Sequence, residues 1–195
     1  MPKVVDHDER RETVVSLTAK LIAKDGIGAV SFKGIADAAG SSTAIISHYF
    51  ASKKDLLHHT YRSILGRSQR EQAALLDSPD SGVLDLAEAL LPLRPEMVSA
   101  WRISIEFFSE AMTDPEIKRE WEANLESAIS GFERLFDRMI ADGRASPKLD
   151  SRQAAQEMLA LVRGIGTEVA VSGGRWPPEL QRDAVRRMLA GIESA

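Results

Sequence analysis

Apolar positions recur three and four residues apart along almost the whole chain, a spacing that predicts helices. Val14, Leu17, Leu21 and Ile22 open the series, and Asp25-Gly26 supplies a C-terminal stop. Ser31 can cap a short helix from Phe32 to Ala39, which Gly40 ends, and Ser42 can cap another from Thr43 to Tyr49. Ser52, with Asp55 three residues on, starts a longer helix through Leu56, Leu57, Tyr61, Ile64 and Leu65 to about Leu76. After the turn cluster 78–82 come five more predicted helices, over 83–93, 96–112, 115–141, 150–171 and 178–192, separated by Pro and Gly punctuation. No run alternates in the manner of a strand. The predicted fold is all-α, with about nine helices.

The two short helices carry the functional signal. Ala36 and Ala39 are small where the first must approach the second, and Ile35, Ile45, Ile46 and Phe50 are expected to fill the space between them. This is the pattern of a helix-turn-helix, whose second helix enters the major groove of double-stranded DNA. Its outward face would be Thr43, Ala44, Ser47 and His48, all small or polar. Hydroxyls donate or accept at base edges and a methyl can meet thymine, so Thr43, Ala44 and Ser47 are the candidates for base contact. Lys53 stands at the start of the next helix, where free N–H groups and the helix dipole favour a phosphate. Ser31 and Ser42 either cap their helices or touch phosphates.

Charge distribution sharpens this reading. The chain of 195 residues carries a net charge of −4, which by itself argues against a polyanion partner. Its first 70 residues, however, hold 11 Lys/Arg against 7 Asp/Glu, and all four histidines. A basic head on an acidic body suggests a nucleic-acid module joined to something else. Lys3, Arg10 and Arg11 are candidates for an arm along the DNA backbone. The division expected is 1–53 for the DNA-binding domain and 54–195 for the rest.

The run AGSSTAIISHYFASKKDLL, preceded by Ser-Phe-Lys-Gly-Ile-Ala, resembles the TetR family of bacterial transcription regulators, and ISHYF followed by SKKDLL is most similar to its BetI-type branch. The resemblance is strong over residues 8–62. It implies a repressor that binds a palindromic operator as a homodimer and is released by an effector held among the C-terminal helices. It also implies a base or phosphate contact from Lys33 and phosphate contacts from His48 and Tyr49. Two positions depart from the pattern. Ser41 stands where the family usually has an apolar residue, and Ser47 where many members have Tyr. The operator therefore does not carry over.

In the body, Met97, Trp101, Phe108, Trp121 and Phe132 are the candidate effector-binding residues, with Arg102, Glu106 and Glu110 along an adjoining face. They suit a small, largely apolar effector; the BetI-type resemblance adds choline as one candidate, held on Trp faces beside a carboxylate. Gly164 and Gly166 inside a helix suggest close helix approach, and the last helix has two apolar strips. Val162, Gly166, Val169, Val185, Met188 and Leu189 are the expected dimer interface.

Other classes fit poorly. The chain has no Cys, Gly-rich phosphate loop, HExxH or GxSxG, so neither an enzyme, a cofactor nor a metal site is expected. No 18-residue apolar run is present and the first residues are charged, so the expected location is the cytoplasm, away from membranes. The rival reading is a helical adaptor that binds a protein and no specific DNA.

Overall fold

The computed structural model describes residues 7–193, so Lys3 lies outside the described residues, as does the side chain of Glu106. Among the described residues there are nine α-helices and no strand: α1 (His7–Asp25), α2 (Phe32–Ala38), α3 (Thr43–Tyr49), α4 (Lys53–Asp77), α5 (Val83–Leu90), α6 (Pro95–Ala111), α7 (Pro115–Ala141), α8 (Ser151–Ser172) and α9 (Pro178–Glu193). A single 3₁₀ turn over Ile27–Ala29, absent from the sequence expectation, links α1 to α2.

The boundaries follow local chemistry. Asp114 accepts from the N–H groups of Glu116 and Ile117 and Pro115 takes the first turn of α7, while Asp150 accepts from Gln153 N–H at the start of α8. Gly26, Gly143 and Gly173 end α1, α7 and α8 with φ of +82°, +70° and +66°. Only α5 is clearly shorter than its pattern. Pro92 forces Leu91 into an extended conformation (φ −65°, ψ 149°) and stops the helix there.

Two apolar cores result. In the head, Val14, Ile22, Ile35, Ile46, Phe50 and Leu56 from α1–α4 are buried together with Ala100, Ile103 and Phe107 of α6. The head core thus extends across position 53 into the body. The body core joins Leu86, Phe132, Phe136, Met158, Val162 and Val185 of α5, α7, α8 and α9. Arg138 fixes the α4–α5 turn by donating to the carbonyls of Leu76, Ser78 and Ser81.

Candidate nucleic-acid interface and ligand cavity

Gly40 makes the turn between α2 and α3. Its φ of +58° is left-handed, and Ser41 N–H bonds back to Ala36 C=O, the closure that ends a helix sharply. Ser31 and Ser42 cap α2 and α3 by accepting from Gly34 and Ile45 N–H, so capping is the role their side chains have here. Ala36, Ile35 and Ile46 are buried between the helices. Ile45 departs from expectation at 37% exposure, on a groove it shares with Arg10, Thr13 and Tyr49. Neighbouring helical positions point about 100° apart, and Ile46 takes the inward one.

Thr43, Ala44, Ser47 and His48 form an exposed face of α3, and Tyr49 is half-buried beside His48. Ser47 Oγ donates to Thr43 C=O, which steers that hydroxyl along the helix. Lys33 is exposed on α2. Lys53 Nζ donates to Ile27 C=O at 3.0 Å, so the lysine chosen for a phosphate also ties α4 to the 3₁₀ turn. Arg11 points inward: its guanidinium lies 2.6 Å from His59 Nε2 and 5.4 Å from the Phe50 ring centroid. Burial, then the Arg11 charge, pushes the His59 pKa down. Only Arg10 of the early charges on described residues borders the α3 groove.

A cavity of about 120 Å³ lies between α4, α6, α7 and α8. Of the candidate effector residues, Met97, Trp101 and Trp121 line it, joined by Tyr61, Leu65, Leu125, Leu159 and Arg163. Phe108 is outside the lining, 52% exposed, with its ring against Trp121. Phe132 is outside it too: α7 leaves the cavity at Ala128, and Phe132 is fully buried in the body core one turn later. Arg163 gave no periodic signal, since it is one of four charged residues on α8 and a charge on a helix reads as a solvated residue. Its guanidinium stacks over Trp121, 4.8 Å from the centroid. The Tyr61 hydroxyl, buried, has its pKa pushed up to about 12 by desolvation first and by Glu120 second.

The cavity is wired to the head. On α6, Met97, Ala100, Trp101 and Ser104 face the cavity. Interleaved with them, Ser99 donates to Ala19 C=O, and Arg102 donates to Ile22 C=O (2.6 Å) and Ala23 C=O (2.8 Å) at the end of α1. On α4, Tyr61, Leu65 and Ser68 line the cavity, while nearer its start Lys54 and His58 meet Glu110 of α6.

The expected dimer residues fall mostly inside the single chain. Val162, Gly166, Val169 and Val185 are buried, and Val162 lines the cavity. Gly166 is small because the Trp101 indole occupies the space a methyl would take. Met188 and Leu189 are half-buried against the body core. The exposed side of α8 is Ala160, Gly164, Glu168 and Val171, the last 76% exposed.

Among known proteins, residues 79–193 match the family described as BetI-type transcriptional repressor, C-terminal, and residues 14–60 match bacterial regulatory proteins of the tetR family. The HTH-type transcriptional regulator BetI of Paraburkholderia xenovorans is 30% identical over 179 residues, covering 89% of this chain and 88% of that one. BetI of Burkholderia cenocepacia strain J2315 is 28% identical over 179 residues, covering 89% of each. A Saccharomonospora viridis protein solved in complex with choline shares the fold with a TM-score of 0.77 at 23% identity, covering 94% of this chain and 95% of that one. A TetR transcription regulator from Haloarcula marismortui gives 0.76 at 20% identity, covering 95% and 98%.

Proposed function

Because the chain belongs to the TetR family, with a C-terminal part of the BetI type, we propose that this DNA-binding transcriptional regulator is a dimeric repressor released from a palindromic operator by a small effector. The observation that carries the reading is the interleaving on α6. One face touches the cavity through Trp101, and the adjacent residues Ser99 and Arg102 hold the end of α1. A ligand that moves α6 or α4 therefore reorients α1 and α3 together.

The bases are read by Thr43, Ala44 and Ser47, and phosphates are met by Lys33, His48, Tyr49 and Lys53; Ser31 and Ser42 fix the helix starts. One α3 reads only a short half-site, so two copies are needed about one helical turn apart. The dimer face is the outer side of α8, with Gly164 at its centre, beside Met188 and Leu189 of α9. Residues 1–53 form the DNA-reading unit and 54–195 the effector and dimer unit, the two sharing the core around Ile103. Release needs a ligand with different affinity for the two conformations; a coupling of about 1–3 kcal/mol changes DNA affinity about 5–150-fold. No helix among the described residues is long and apolar enough to cross a membrane; the protein acts in the cytoplasm, where its DNA is.

Selection of duplexes from a random pool by the full chain tests this. The expected result is an inverted repeat with equal half-sites. Recovery without a shared motif favours the adaptor reading and would overturn the proposal.

A further inference from the structure

We propose that the cavity takes an anionic ligand, a small carboxylate with an apolar body, anchored by Arg163. The inference rests on the effector reading above and gives the ligand its chemistry.

Five polar residues line the cavity among the described ones: Tyr61, Ser68, Ser104, Asn124 and Arg163. None is acidic. Ser104 Oγ is spent on Trp101 C=O, Ser68 Oγ accepts from Gln72, and Asn124 Oδ1 accepts from Gln69. Arg163 differs, for its guanidinium rests on the Trp121 ring and makes no ion pair or hydrogen bond among the described residues. Burial lowers its pKa from the ordinary guanidinium value, yet an arginine stays charged. Three carboxylates on the neighbouring helices are already engaged: Glu120 by Arg62, Glu110 by Lys54 and His58, Glu71 by Arg94. A half-buried cation without a counterion is costly until an anion arrives. The Tyr61 hydroxyl makes no hydrogen bond among the described residues either, and burial keeps it protonated, hence a donor.

Arg163 can offer a planar fork to a carboxylate and Tyr61 a further O–H. The rest of the wall is apolar: Leu65, Leu90, Met97, Leu125 and Leu159, with the two indoles. About 120 Å³ suits a body near the size of one aromatic ring. The same features oppose a quaternary ammonium ligand, because the cation–π face of Trp121 is taken by Arg163 and no carboxylate lines the cavity among the described residues to balance it.

The experiment is calorimetric titration of the full chain with benzoate, phenylacetate and hexanoate, their three amides, and choline, alongside Arg163→Met and Arg163→Lys. Methionine keeps an apolar stem over Trp121. At least one carboxylate should bind wild type about tenfold or more tighter than its amide. Arg163→Met should erase that preference while the helical circular-dichroism signal stays at the wild-type level, which shows the fold intact, and Arg163→Lys should restore part of it. Choline binding as tight as the best carboxylate, equal affinity for acid and amide, or no carboxylate binding would overturn the proposal. A carboxylate that binds through Arg163 but leaves operator affinity unchanged supports the anion site and counts against the effector reading. Release of DNA by choline, independent of Arg163, does the reverse.

Discussion

The indole of Trp101 lies against α8 at Gly166, filling the space that a methyl group on that residue would occupy. Trp101 Nε1 donates to Leu90 C=O at 3.0 Å, so the ring is also fixed by a hydrogen bond. The glycine thus serves a close contact within one chain, and it sets the position of a cavity wall.

Gly166→Ala should accordingly destabilise the protein by about 1–3 kcal/mol through overpacking, despite the gain in helix propensity. In a Trp101→Leu background the same change should cost less. A denaturant double-mutant cycle measures the difference as a coupling between the two positions.

Gly164, one residue pair away on α8, faces open space, and a Cβ there meets nothing in the single chain. Gly164→Arg should leave the helical circular-dichroism signal and monomer fold unchanged. It should convert a dimer into a monomer in light scattering at micromolar concentration. A dimer unaffected by this substitution would move the interface away from the outer side of α8.

The helix-turn-helix could be read from the sequence because its parts are local. The caps Ser31, Ser42 and Ser52 and the turn at Gly40 each depend on residues two to four positions away. The body was harder to read. Helical spacing says that Phe132 and Val162 face inward, but not whether inward means a cavity, a core or a second subunit. Those depend on which helices pack against each other, which no local pattern records. The same gap hid Arg163 and the α1 partners of Arg102, since those contacts are contributed by other helices.

Arg102→Leu should cost about 1.5–3 kcal/mol, since two carbonyls at the end of α1 lose a charged donor. It should also shrink the effect of a cavity ligand on DNA affinity while leaving ligand affinity nearly unchanged. Parallel titrations of ligand and of operator DNA check both parts.

The His59 pKa is lowered in the folded head, chiefly by burial and by Arg11. The unfolded chain then binds the proton more readily, so stability rises with pH through the window just below 6.5. The head should melt at a lower temperature at pH 5.5 than at pH 7.5. Asp55 at 3.4 Å partly offsets the shift, while Arg62 and His58 add to it. His59→Gln should flatten the dependence, as read by thermal melts at the two pH values.

The central claim is that the exposed face of α3 reads DNA, and fluorescence anisotropy with the duplex upstream of the protein's own gene tests it most directly. Wild type should bind that duplex more tightly than a scrambled one, with affinity falling steeply as salt rises, because phosphate contacts release counterions. Thr43→Ala with Ser47→Ala should remove most of the preference for the upstream duplex while keeping the salt dependence, since those side chains face bases and the lysines remain. Equal binding of the two duplexes by wild type, or a preference untouched by the double substitution, would contradict the account.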